Sequence, residues 1–153
     1  MEKIEVLKRS ELCRDLTDKE LAVIEKICEP KVFEAGAILC KQGEADRKIY
    51  IVEHGLLGII LEIGMAQRQV QGAADYETAG WSAVIEPYVY TATVKAIEKT
   101  SVLSIDGREL TKMRETNPGL SAKICWTVAR TLAERLRLAY TQLVGVTGRY
   151  SHG

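Results

Sequence analysis

With 153 residues the chain has room for one domain around one core, and a second large domain does not fit. Hydrophobic side chains at 46% and charged ones at 27% are the proportions of a folded globular protein, which excludes a disordered linker or a fibre. The 21 basic and 21 acidic residues cancel, so direct nucleic-acid binding is not expected without a local basic patch.

The first residues, Met1 to Arg9, mix charge signs and lack the apolar stretch of a signal peptide, and no later run reaches membrane-spanning length. A cytoplasmic location without membrane contact is the default expectation. Cys13, Cys28, Cys40 and Cys125 lie far apart with no Cys-x-x-Cys, so they read as buried, reduced thiols and no metal site is spelled out.

In chain order, Thr17-Asp18-Lys19-Glu20 has the capping-box pattern, and Leu21, Ile24, Ile27 and Cys28 follow at helical spacing, so a helix is expected over 17–28. Pro30 is expected to end it. Short apolar runs follow at Lys31–Phe33, Ile38–Cys40, Ile49–Val52 and Leu56–Leu61, separated by Gly36, Gly43 and Gly55. Residues 63–79 read as a variable hairpin without chemistry. Two more strands are expected at 91–97 and 100–105, joined by Glu98-Lys99. The fold class is therefore α+β: an antiparallel β jelly roll (a double-stranded β-helix) over 30–105, an N-terminal helix before it, and helices over 106–146.

A short helix is expected after Asp106-Gly107, and another beginning at Asn117-Pro118. The last helix carries Cys125, Val128, Leu132, Leu136, Ala139, Leu143 and Val146 at three- and four-residue steps from Ile124. About 25 residues at about 1.5 Å each exceed what a barrel of this size covers, so part of the stripe needs another partner.

Three ordered motifs carry a resemblance: Phe33-Glu34-Ala35-Gly36, Gln42-Gly43-Glu44, and Ile49-Tyr50-Ile51-Val52-Glu53-His54-Gly55. Together with Gly80-Trp81-Ser82-Ala83-Val84-Ile85 running into Thr91-Ala92-Thr93-Val94-Lys95-Ala96, they are similar to the barrel corners and phosphate-binding cassette of the cyclic nucleotide-binding domain family. The resemblance covers about residues 7–144. It implies a regulatory, non-catalytic sensor of the catabolite activator type and a parallel homodimer through the long helix, with Val128, Leu132, Leu136, Ala139 and Leu143 in the interface. Val146-Thr147-Gly148-Arg149 is similar to the hinge that leads to a DNA-binding helix-turn-helix in such regulators; the chain ends at Gly153.

The cassette departs from the family where it matters. The family glutamate that takes the ribose hydroxyl falls on Trp81, and the arginine that pairs with the phosphate falls on Tyr90. Losing a partly buried guanidinium–phosphate pair costs a few kcal/mol, on the order of 100-fold in affinity, so cyclic nucleotides are not the expected ligand. The candidate ligand-binding residues are Gly80, Trp81, Ser82, Ala83, Tyr90, Thr91 and Arg135. The rings of Trp81, Pro87, Tyr88 and Tyr90 suit a flat or apolar ligand, or else plug the former pocket as core. Arg135 either reaches the pocket from the long helix or pairs in solvent or across helices with a glutamate.

The cofactor remains open; haem occurs among relatives, and no ligand for it is assigned here beyond Cys40 or His54 as candidates. His54 and His152 are the only histidines, so no clustered His motif of a jelly-roll metalloenzyme can be built, and no nucleophile elbow or phosphate loop is present. Three readings remain: a small-molecule sensor, a ligand-free dimeric interaction protein with a plugged pocket, or the sensor half of a truncated transcription regulator.

Overall fold

The computed structural model describes the backbone of residues 1–151 and the side chains of residues 1–145. Thr17 caps α2 (Asp18–Glu25): its hydroxyl accepts from the Glu20 N–H at 3.3 Å while the Glu20 carboxylate accepts from the Thr17 N–H at 2.9 Å, the reciprocal pair expected of a capping box. The helix ends at Glu25 rather than at Cys28, because Cys28 opens β1 (Cys28–Phe33) and pairs with Ile105. Pro30 lies inside that strand opposite Leu103; β1 is a sheet edge, where a missing N–H is tolerated. An unexpected helix, α1 (Lys3–Arg9), precedes these elements, its charged exterior hiding the fully buried Val6 and Leu7.

The barrel comprises β2 (Ile38–Cys40), β3 (Lys48–His54), β4 (Leu57–Ile63), β5 (Ala66–Ala73), β6 (Thr78–Ala79), β7 (Thr93–Ala96) and β8 (Thr100–Asp106). One sheet has the order β1-β8-β3-β6 and the other β2-β7-β4-β5, with antiparallel pairing throughout. This is the expected α+β jelly roll. β3 and β8 are buried on both faces, with Ile49, Ile51, Val102 and Ile105 among the residues without solvent exposure. At the corner before β4, a Cβ on Gly55 (φ +127°) would meet the Thr100 side chain at 2.5 Å, so only glycine fits.

The loose stretch 63–79 is more ordered than its sequence suggests. β5 pairs with β4 from Leu57–Ala73 to Ile63–Ala66, turning at Gly64. It also docks on the long helix: Gln71 Nε2 donates to the Arg135 carbonyl at 3.0 Å and Gln142 Nε2 to the Val70 carbonyl at 3.2 Å.

Asp106 caps α3 (Gly107–Thr116), its carboxylate accepting from the Arg108 N–H. The helix expected at Asn117-Pro118 and the one expected from Ile124 are a single helix, α4 (Pro118–Ser151, 34 residues), since no breaker separates them. At about 1.5 Å per residue it extends roughly 50 Å. Leu120, Ile124 and Val128 bury its first half against the barrel.

Candidate ligand cavity

The cassette begins where β6 ends. Gly80 takes a left-handed conformation (φ +89°) and starts a short 3-10 turn, Trp81–Ala83. A Cβ at Gly80 would lie 2.8 Å from the Lys48 carbonyl, so glycine is required both by its backbone angle and by the closeness of β3. Ala83, fully buried, points its carbonyl at Gly107, where an added Cβ would collide with it.

One side chain outside the cassette holds its loop in place. Arg47 donates through Nε to the Ala83 carbonyl at 2.7 Å and through Nη2 to Thr111 Oγ1 at 3.2 Å, and its guanidinium lies 3.7 Å from the centre of the Tyr88 ring. The cassette loop is thereby joined to both β3 and α3. Only an arginine just ahead of the Ile49–Val52 run hinted at this role.

Tyr90, expected in the place of the arginine of the resembled cassette, is not a free cavity group. Its hydroxyl donates to the Lys48 carbonyl at 2.8 Å and accepts from the Lys48 N–H at 3.1 Å, and only 3% of the residue is exposed. Burial pushes its phenol pKa well above the ordinary value, with the neighbouring Cys40 adding to the shift. Burial likewise pushes the Cys40 thiol up to about 12. His54 sits on the surface, its Nδ1 3.4 Å from Asp75. Neither Cys40 nor His54 lines the cavity described next.

Between the cassette, β4, β5 and α4 lies a cavity of about 460 Å³. Six of the seven expected ligand residues line it: Gly80, Trp81, Ser82, Tyr90, Thr91 and Arg135; Ala83 does not, being packed beneath α3. Pro87, noted for its ring, and Ile85 of the cassette add to the wall with Leu132 of the expected seam, while Ile59, Gln71 and Thr78 complete it without having been singled out as ligand residues. Gln71 and Thr78 fall in the stretch whose periodicity is weakest. Leu136 and Ala139, expected in a dimer seam, line this cavity as well.

Three polar atoms on the lining residues are buried without a partner: Thr78 Oγ1, Trp81 Nε1 and Arg135 Nε. A buried unpaired polar atom is costly, and these three belong to residues that line one cavity. Arg135 is the one guanidinium in the lining. Its side chain is 15% exposed; Nη2 donates to the Thr78 carbonyl at 3.0 Å and lies 3.6 Å from Glu11 Oε2. It is thus not a solvated arginine: it lines the cavity and at the same time meets Glu11 of the N-terminal segment.

The expected seam divides. Val128 belongs to the chain's own core and Leu132 packs against it, whereas Leu136 and Leu143 are exposed beside Trp126 and Tyr140. The exposed apolar face is rotated around α4 from the expected one, because the barrel claims the residues nearest it. The Val146 side chain and the hinge at 146–149 fall outside the described side chains, and His152 lies outside the described residues. Among the described residues no cluster of His, Cys, Asp and Glu could hold a metal, and no helix is long and apolar enough to cross a membrane.

A family model for the cyclic nucleotide-binding domain matches residues 30–117, the span of the corner motifs and the cassette and more than half of the chain. The chain belongs to the cyclic nucleotide-binding domain family. A solved cyclic nucleotide-binding protein candidate from Geobacter metallireducens GS-15 is 26% identical, with a TM-score of 0.79 over 89% of this chain and 99% of its own. The fold also matches a cyclic nucleotide-binding domain from Methylobacillus flagellatus KT (16% identity, TM-score 0.81, 94% of this chain and 82% of that one). The catabolite activator protein of Thermus thermophilus has 21% identity and a TM-score of 0.72, over 90% of this chain and 63% of its own. A potassium channel candidate from Rhodopseudomonas palustris is 27% identical over 138 residues, 90% of this chain; the chain spans about a third (33%) of that relative. Domains of this family are regulatory binding modules.

Proposed function

We propose that the domain is a non-catalytic sensor whose cavity takes a flat, largely apolar small molecule in place of a cyclic nucleotide. The observation that carries this is the arrangement around Lys48: the residue in the arginine position, Tyr90, spends its hydroxyl on the backbone of Lys48, while a cavity of about 460 Å³ stays open beside it. A phosphodiester in that cavity would meet Tyr90 and Trp81 where the family supplies a guanidinium and a carboxylate. The volume is that of a small-ligand site and argues against a pocket plugged by its own rings. Cys40 and His54, away from the lining, give haem no axial group from the cavity wall.

The exposed apolar residues Trp126, Leu136 and Tyr140 on one side of α4 support pairing of two copies through that helix. Bound ligand would then bias the position of α4 against the cassette, the two walls of the same cavity. Thermal unfolding with cyclic AMP, cyclic GMP and flat aromatic compounds tests the sensor reading, because a ligand that binds only the folded state raises the melting temperature. Stabilisation by an aromatic compound with none by cyclic AMP is the expected result. Stabilisation by cyclic AMP at micromolar concentration would overturn it.

A further inference from the structure

Arg135 stands between two cavities of opposite character. On the cassette side is the large one, walled by Trp81, Ile59 and Leu136; on the other is a smaller one of about 290 Å³, lined by Glu11, Glu77 and Glu134 as well as by Arg135 itself. A guanidinium offers five N–H donors, yet the contacts seen for Arg135 use Nη2 alone, and Nε is buried without a partner.

Resting on the sensor reading above, we propose that the cavity's ligand is a flat monoanion anchored by Arg135, and that Glu11 is the internal counter-ion with which this anion competes. The Arg135–Glu11 contact is loose: 3.6 Å, against about 2.7–2.9 Å for a well-formed charged hydrogen bond. Glu11 is also a reluctant anion. Burial raises its pKa above the ordinary value, the Arg135 guanidinium and the Thr78 N–H opposing the shift. A carboxylate or similar group entering from the cassette side can pair with the unused edge of the guanidinium, leaving Glu11 to the Thr78 N–H that already reaches it at 3.2 Å.

The competition gives occupancy a second outlet. Glu11 belongs to the turn that follows α1, and its N–H donates to the Tyr76 carbonyl at 3.0 Å. Relaxing its hold on Arg135 loosens one of the ties between the N-terminal segment and α4, beside those of Lys123 to Glu20 and Arg130 to Asp15.

The test uses two fluorescent probes of nearly the same aromatic body, anionic 8-anilinonaphthalene-1-sulfonate and neutral N-phenyl-1-naphthylamine, with Ala139→Trp as a variant that fills the cavity. Arg135→Gln is expected to weaken the anionic probe about tenfold or more while leaving the neutral probe within about twofold, which also reports that the variant is folded. Glu11→Gln is expected to tighten the anionic probe several-fold and leave the neutral one unchanged. If Ala139→Trp abolishes binding of the neutral probe but Arg135→Gln does not weaken the anion, the inference falls and the sensor reading stands. If Ala139→Trp affects neither probe, both fall.

Discussion

The Tyr90 hydroxyl and the Lys48 backbone are joined by two hydrogen bonds, one in each direction, at 2.8 and 3.1 Å. This pair holds the cassette against β3 and engages the Tyr90 hydroxyl outside the cavity. It also fixes the course of the chain into β7, since the Gly43 N–H donates to the Tyr90 carbonyl and the Tyr90 N–H to the Glu44 carbonyl.

Tyr90→Phe keeps the ring and deletes both bonds, leaving a buried carbonyl and N–H without their partner. The expected loss is about 1–3 kcal/mol of unfolding free energy, read from urea denaturation with an unchanged slope. A variant as stable as the parent would show that the hydroxyl does not hold the cassette.

Arg47 makes a prediction about the loop rather than the core. Arg47→Lys retains the charge but cannot both donate to Ala83 and Thr111 and stack on Tyr88, so it is expected to behave like Arg47→Ala. Both variants should lose about 2 kcal/mol and show faster amide exchange across residues 80–91. Full protection of that segment in Arg47→Lys would contradict the role assigned to the planar fork.

The sequence made the barrel legible because corner glycines and β-branched runs act locally: Ile38–Cys40 is a strand with the bounds expected of it, and Thr17 caps its helix as expected. What escaped was decided at a distance. Cys28 and Pro30 have helical and helix-ending signals but were recruited as an edge strand by β8. The cavity was half readable: Gly80, Trp81, Thr91 and Arg135 were found by position, whereas Gln71, Thr78 and Glu11 come from segments that only tertiary packing brings beside them. The apolar stripe of α4 was visible, but which side the barrel would cover was not.

The α2 cap is a local test of stability. Thr17→Ala removes the acceptor for the Glu20 N–H and is expected to cost about 1 kcal/mol by denaturant unfolding.

The cysteines should separate sharply by reactivity. Burial raises the thiol pKa of Cys13 to about 11 and of Cys28 and Cys40 to about 12, so thiolate is scarce near neutral pH, while Cys125 is exposed. Under native conditions a thiol reagent is expected to label Cys125 rapidly and the other three only at the rate of opening. Fast labelling of Cys40 would mean that the Tyr90 closure opens readily.

Stability should carry a pH signature from Glu11. Its folded pKa is raised above the ordinary 4.5, so its contribution is fully present below 4.5 and is lost as pH rises through the higher folded value. Relative to Glu11→Gln, the parent is expected to lose stability as the pH is raised from about 4 to 7. A difference that is flat or grows over this range would contradict the burial assigned to this carboxyl.

A ligand in the space between the cassette and α4 would lie against one of the two indoles and not the other. The chain has two tryptophans: Trp81 in the cavity wall, its indole nitrogen buried and unpartnered, and Trp126, exposed on α4. Two indole N–H signals should therefore appear in a proton–nitrogen correlation spectrum, and titration with N-phenyl-1-naphthylamine is predicted to move that of Trp81 and leave that of Trp126 in place. Movement of Trp126 alone, or of neither, would show that the ligand site lies elsewhere.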